Sequence, residues 1–387
     1  MSKHRLGIDR LLAEPGEWLG SKRFALITGS ANVDSPGRPV FRRLKQRLGP
    51  QMRAIWSLQH GFLVDKQDNM ILSGSFYLED IDVPVCSLYG QRLMPEEAWL
   101  EDIEAVVVDV FDVGTRVYTF LNQVVMIMKF LAGRDIEVIV PDRPNPLGGR
   151  RCEGNAAQPE YYSIVAQLPV PMRHGLTAAE YLTFARRYFD IDVSLRPIPL
   201  LNWRRTDLFS GLWTYPSPNM PSFYTAAVYP GAVLLEGTDL SEGRGTTRPF
   251  ELLGAPYLDA PGLVEELSRL ELPAVTFVPL YFKPEFCKYA GEICQGILVV
   301  PGDLEYFAAF ETYYEIIRLV RQRHPHQFQW KQPPYEFEYE RLPIDMICGS
   351  PLIRQSLEQN LPFNKIVPPI NDQIKQFQTA AAPSLLY

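Results

Sequence analysis

Apolar residues along the first 230 positions come in short blocks, and the blocks alternate between strand-like and helix-like spacing. "RFALITGSANV" (23–33), "AIWSLQHG" (54–61), "VPVCSLYG" (83–90), "AVVVDVFDVG" (105–114) and "IEVIVPDRPNP" (136–146) are β-rich runs, each leading into a polar turn. The fourth is continuously apolar, as expected of a strand covered on both faces. Between them, "PVFRRLKQRLG" (39–49) sets Val40, Leu44 and Leu48 on one helical face. "PEEAWLEDI" (95–103) opens with proline and acids, as helices do, and "TRVYTFLNQVVMIMKFLAGRD" (115–135) reads as a long, mostly buried helix. This alternation predicts an α/β fold, a mainly parallel sheet with crossover helices on both faces.

Later in the chain the pattern loosens. Thr177–Glu180, "TAAE", predicts a capping box that opens a helix over "AAEYLTFARRYF". "WTYPSPNMPSFYTAAVYPG" (213–231) holds too many prolines for regular structure and reads as a linker or an aromatic-walled loop. "FKPEFCKYAGEICQG" (282–296) reads as a loop feeding the strand "ILVVPG". "DLEYFAAFETYYEIIRLVRQRH" (303–324) is the one amphipathic helix expected in the tail. A domain boundary is placed near residue 231, giving an N-terminal domain over 1–230 and a smaller α+β domain over 231–387.

Length agrees with two domains, since 387 residues exceed one ordinary core. An apolar fraction of 46% marks a globular chain, and a net charge of −7 argues against a nucleic-acid partner. No apolar run reaches a membrane span, and "MSKHRLGIDRLLAEPGEW" lacks the apolar core of a signal peptide. Five scattered cysteines (Cys86, Cys152, Cys287, Cys294 and Cys348) form neither a disulfide framework nor a zinc spacing. A cytoplasmic protein with reduced thiols is expected. Gly-x-Gly-x-x-Gly after the first strand, Walker A, His-Glu-x-x-His and Gly-x-Ser-x-Gly are all missing, so no cofactor and no metal are expected.

The polar residues that follow the strands sort to one edge. They are Thr28, Ser30 and Asn32; Ser57, Gln59 and His60; Asp109 and Asp112; and Asp142, Arg143 and Asn145. Ligands of open α/β sheets sit at that edge. The same residue types also cap helices and make turns, so each one singly divides evenly between site and scaffold, while together they favour a site. His174, just before the capping box, either lines a cleft or packs at the helix entry. "EGRGTTRP" (242–249) is the best anion-binding candidate, through Arg244, Thr246 and Arg248, with an ordinary glycine turn as the alternative. Glu236 precedes it as a candidate buried carboxylate.

Several longer motifs resemble one family. "LITGSANVD", "SLQHG", "VVVDVFDVGTRVYTF", "VIVPDRPNPLGG", "PVPMRHGLTAAEY", "YPSPNMPS" and "VYPGAVLLEGTDLSEGRGTTRPFELLGAP" are similar, in order, to motifs of the NamZ-type exo-β-N-acetylmuramidases, formerly a family of unknown function. The resemblance implies a Rossmann-like N-terminal domain, a smaller C-terminal domain and a cleft between them. It implies release of N-acetylmuramic acid from the non-reducing ends of peptidoglycan fragments, with an amino sugar or muropeptide as ligand. In those terms Asn32, Ser57, Asp109, Tyr118, Arg143, Asn145, His174 and Thr246 are substrate-binding candidates. Asn219 would read the acetamido group, Arg244 and Arg248 would hold the lactyl carboxylate, and Tyr118 and Trp213 would stack on sugar faces.

One position departs from the family. Its motif usually reads Ser-x-Glu-His-Gly, with the glutamate as proposed acid, and this chain carries Gln59. An amide keeps the shape but has no titratable proton. "DKQDNM" (65–70) also replaces a Gly-rich continuation. Three readings stand open. Another carboxylate is the acid, from Asp65, Asp112, Asp142, Glu153 or Glu236, with His60 tuning it. Or the chain binds glycans with little turnover. Or its substrate differs.

Overall fold

A computed structural model describes residues 4–90 and 92–387. Its main sheet has seven strands: β1 Phe24–Ile27, β2 Met52–Ser57, β3 Phe76–Leu78, β4 Val83–Ser87, β5 Ala105–Val108, β6 Glu137–Pro141 and β7 Leu195–Ile198. They lie in the order β3-β4-β2-β1-β5-β6-β7, and only the β3–β4 pairing is antiparallel. Without β3, this is the strand order of the doubly wound nucleotide-binding sheet, reversing between β1 and β5.

Every residue of β1 and β5 is buried, which is why "FALI" and "AVVV" show no alternation. Apolar layers cover both faces. Ile8, Leu11, Leu26, Leu44 and Val107 belong to one layer, and Ala25, Trp56, Val106, Val124 and Leu182 to the other. The helix Val40–Leu48 buries the predicted face, Val40, Leu44 and Leu48, together with Phe41. The helices Thr119–Phe130 and Ala178–Tyr188 form the next two crossovers, the latter opened by the predicted Thr177–Glu180 capping box.

A smaller antiparallel sheet follows, of β8 Leu252–Ala255, β9 Val275–Phe282 and β10 Cys294–Pro301, in the order β8-β10-β9. The helix Ala309–Arg323 lies within the predicted 303–324 and buries Phe310, Tyr313, Ile317 and Val320. Among the described residues, no helix is long and apolar enough to cross a membrane.

Three expectations about elements are corrected. Residues 95–103 hold only a 3-10 turn, Glu97–Trp99, because their acids reach outward to Arg134, Arg23 and Arg53. Residues 213–231 are not all loop, since Phe223–Ala232 is a helix capped by Ser222. It is buried all round from Thr225 onward, and a Cβ on Gly231 would stand 2.0 Å from the Ala309 carbonyl oxygen, so packing outweighs the cost of Pro230. The tail carries four α-helices besides Ala309–Arg323: Ala260–Ser268 before it, and Pro343–Cys348, Leu352–Glu358 and Val367–Ala381 after it. The last sends Phe377 and Ala381 into the core beside the parallel sheet.

Candidate active site

After β2 the chain turns sharply: His60 and Gly61 both take left-handed backbone conformations, with φ of 67° and 72°. Such a φ is uncommon outside glycine, and here it sets Gln59 aside from the strand axis. The Gln59 amide is buried and fully engaged. Its Nε2 donates to Glu336 Oε1 at 2.6 Å and to the Tyr89 hydroxyl at 3.1 Å, and its Oε1 accepts from the Thr119 hydroxyl. Tyr89 in turn donates to Glu336 Oε2 at 2.7 Å and accepts from the Met70 amide at 2.8 Å. Four elements thus converge on one carboxyl group: the β2 turn, the residues after β4, the start of the helix Thr119–Phe130, and the tail loop that bears Glu336.

Burial pushes the Glu336 carboxyl up to about 7, although the Tyr89 and Gln59 hydrogen bonds act the other way. A carboxyl near 7 exchanges its proton at neutral pH, as a general acid must. A second carboxylate, Glu236, lines the same pocket. It accepts from Arg244 Nη2 at 2.7 Å and from the Tyr335 hydroxyl at 2.7 Å. Burial lowers His60 to about 4, so its ring is neutral. Its Nδ1 lies 2.7 Å from the Lys66 carbonyl and must carry the proton, leaving Nε2 as an acceptor.

Of the residues singled out in the sequence, Gln59, His60, Tyr118, Asn219, Glu236 and Arg244 line this pocket. The others do not, and their partners explain why. Asp109 and Arg143 form a double hydrogen-bonded pair at 2.7 and 3.0 Å, and Asn32 donates to the Asp109 carbonyl. Asp142 accepts from the Arg143 and Ala179 amides and the Tyr387 hydroxyl, so it anchors the start of the helix Ala178–Tyr188; burial pushes it up to about 7. Asp112 accepts from the Gly114 amide at 2.7 Å and stands 3.6 Å from His174 Nε2. Asn145 bridges Leu176 and Leu147, and Ser57 is buried where β2 ends. Glu153 is held by Arg173 at 2.7 Å, and Trp213 packs among Phe111, Phe209 and Phe223. Asp65 is half exposed and paired with Lys66, and Asp68 stands 3.3 Å from the Cys287 sulfur. The edge residues do gather at one rim, but most of them tie its turns together.

The glycine loop is a turn rather than an open cradle. Thr246 Oγ1 donates to the Gly243 carbonyl, the Thr246 amide does the same, and Arg248 pairs with Glu251 at 3.1 Å. Only Arg244 turns inward. Besides Glu236 it reaches the Gln67 carbonyl at 2.8 Å and lies 3.3 Å from Glu242, which also pairs with Lys288 at 2.8 Å. Asn219 donates to the same Gln67 carbonyl at 2.5 Å. The "DKQDNM" segment therefore covers the polar groups expected to meet substrate.

Glu336, Tyr335, Thr119 and Tyr89 went unmarked in the sequence. The one local signal was "PPYEFEYE", a run of acids among aromatics inside a proline-rich stretch. A second, more apolar pocket lies where the strand order reverses, between Phe111, Phe209 and Leu208. Its charged groups Arg143 and Asp34 are already paired with Asp109 and Arg38, so it lacks the convergent polar groups of the Gln59 pocket.

Comparison with known proteins shows the family. The N-terminal model of exo-β-N-acetylmuramidase NamZ matches residues 24–224, and the C-terminal model matches residues 227–387. The chain belongs to the NamZ family. It is 34% identical to the peptidoglycan β-N-acetylmuramidase NamZ of Bacillus subtilis strain 168, over 100% of this chain and 92% of that protein. Two crystal structures of DUF1343 family proteins from Bacteroides fragilis NCTC 9343 share the fold, each match covering 100% of this chain and 99% of the other. One superimposes with a TM-score of 0.89 at 26% identity. The other does so with 0.75 at 23%, a likeness of fold alone.

Within this NamZ fold Arg244 joins the buried carboxylates Glu236 and Glu242. Arg244→Ala would leave the buried Glu242 with Lys288 and the buried Glu236 with only the Tyr335 hydroxyl. Breaking a buried ion pair on one side typically costs about 3–5 kcal/mol. A large drop in the urea midpoint is expected, and an unchanged midpoint would show that Arg244 is dispensable to the fold.

Proposed function

We propose that the protein hydrolyses the β-glycosidic bond that joins N-acetylmuramic acid, at the non-reducing end of a peptidoglycan fragment, to the next sugar. The observation that carries this reading is the buried Glu336 carboxyl, gripped by Gln59 and Tyr89 in the pocket that Glu236 also lines. Glycosidases of most kinds need a pair of carboxyl groups, one protonated and one not. The activity of the Bacillus relative supports the same reading.

Glu336 is the proton donor. Its proton passes to the glycosidic oxygen as the bond from that oxygen to the anomeric carbon breaks, and the leaving sugar departs as an alcohol. Glu236 as a carboxylate faces the positive charge that develops at the anomeric carbon. Water completes the reaction, its hydroxyl joining that carbon and its proton returning to a carboxylate. Gln59 is a positioning residue: both amide hydrogens are committed to Glu336 and Tyr89, and its oxygen accepts from Thr119.

Asn219 and Arg244 are bridged by the Gln67 carbonyl, so residues 65–70 must draw back as the sugar enters. Muramic acid is then recognised by more than a lone cation, because Arg244 is already balanced by two carboxylates. Arg244→Ala is expected to weaken binding of muramic acid and glucosamine compounds alike. We also place the protein in the cytoplasm, a reading supported by its five thiols.

The deciding assay uses purified protein with a chromogenic β-N-acetylmuramide and the matching glucosaminide. Release of chromophore from the muramide supports the reading, and turnover of the glucosaminide alone overturns it. Gln59, standing where the family carries glutamate, favours one alternative: binding of the muramide without turnover would make the protein a glycan-binding relative.

A further inference from the structure

Away from the Gln59 pocket, a groove of about 500 Å³ is walled by the helices Gly7–Ala13 and Val40–Leu48. Four arginines line it, Arg5, Arg38, Arg43 and Arg47, against two carboxylates, Asp9 and Asp34. That leaves an excess of two positive charges in one groove of a chain whose net charge is −7. Both carboxylates are already committed to the protein. Asp9 accepts from the Leu6 and Ser35 amides, each at 3.1 Å. Asp34 is wholly buried, accepts from Arg38 at 2.8 Å and stands 3.8 Å from Arg43. One carboxylate thus serves two guanidiniums, and Arg43 Nε is buried without a hydrogen-bond partner among the described residues. The Arg47 guanidinium donates to the Ala13 carbonyl at 3.3 Å, and neither it nor Arg5 forms an ion pair among the described residues. Guanidinium forks of this kind suit phosphate oxygens, which an arginine binds two at a time.

The groove does not end at the arginines. His4, Asp34 and Ser35 are walls both of it and of the apolar slot between Phe111, Phe209 and Leu208. That slot, of about 50 Å³, has room for about one six-membered ring. It lies where the strand order reverses, the place at which doubly wound sheets take their ligands. Neither cavity shares a lining residue with the Gln59 pocket.

We propose that groove and slot together form a second ligand site, for a small organic phosphate. The phosphate lies among Arg5, Arg43 and Arg47, and a ring or apolar end fills the slot. The site stands apart from the hydrolase pocket and does not depend on how that pocket is read.

Calorimetry on the full chain, in about 0.15 M salt to screen loose ionic attraction, tests it with inorganic phosphate and phenyl phosphate. Phenyl phosphate is expected to bind about tenfold more tightly, as burying part of a ring would give. Replacing Arg5→Ala and Arg47→Ala together should weaken both probes by about tenfold or more. Both side chains are exposed and paired with no acid, so the fold survives their loss. Leu212→Ala, at the mouth of the slot, should reduce the advantage of phenyl phosphate and leave inorganic phosphate unaffected. The proposal is overturned if neither probe binds, or if the double arginine variant binds both as the wild type does, since the anion would then sit elsewhere. Equal affinity for the two probes would also overturn it, leaving an anion groove without its apolar end. An advantage untouched by Leu212→Ala would put the ring outside the slot, with the same result.

Discussion

Glu336→Gln should lower hydrolysis of an alkyl or sugar β-N-acetylmuramide by about 10²–10⁴-fold, the usual worth of a positioned proton donor. The substitution keeps size and removes the proton. A leaving group that departs without protonation, such as a dinitrophenolate, should recover most of the lost rate. A purely structural residue would give equal losses on both substrates, so that result would remove Glu336 from the chemistry.

The pH dependence follows from the same group. Burial raises Glu336 from 4.5 to about 7, and the acid works only while protonated, so the rate should fall as pH rises through about 7. Stability has the same sign. A carboxyl whose folded pKa is raised costs nothing below its unfolded value and increasingly disfavours the folded state between about 4.5 and 7. The glutamine variant is free of the buried charge but keeps only one of the two accepted hydrogen bonds, so its stability relative to the wild type should rise by up to about 3 kcal/mol from below that window to above it. Urea unfolding of both proteins at pH 5 and pH 8 checks this. A variant that gains stability while losing turnover would show a strained acid kept for function.

What the sequence showed clearly was what local chemistry decides. β1 and β5 are legible because strands buried on both faces must be apolar at every position. The Thr177–Glu180 capping box is legible because its partners are three residues apart. The helix Phe223–Ala232 was not, because its stability comes from burial against the helix Ala309–Arg323, far along the chain. The site divides in the same way. Gln59 stood out through its position after a strand, yet the group it serves, Glu336, lies 277 residues away, and its raised pKa is a property of burial. Asp109, Asp112 and Asp142 have the composition of catalytic residues and the contacts of scaffolding. Which of the two they are depends on partners such as Arg143, His174 and Tyr387, and no spacing encodes those.

The second large effect is expected from Gln59→Glu. In the wild type an amide N–H donates 2.6 Å to Glu336 Oε1; in the variant a carboxyl oxygen takes that place. Two carboxyl groups so close hold one proton between them, and the pair titrates as a unit. Thr119 can still donate to residue 59, and Tyr89 to Glu336, so the geometry survives. The shared proton is held more tightly than by Glu336 alone, and the alkaline limb of the rate profile should move up by about one unit or more. A more tightly held proton makes a weaker acid, so the maximal turnover should drop by about tenfold. Asp65, paired with Lys66, and Asp68, beside Cys287, make no contact with Gln59 or Glu336 through which to stand in for the acid. The measurement is turnover of the chromogenic muramide from pH 5 to pH 9. A higher maximal rate in the variant would instead make position 59 the seat of the acid and Glu336 its support. No change in rate or affinity would put the side chain outside the site.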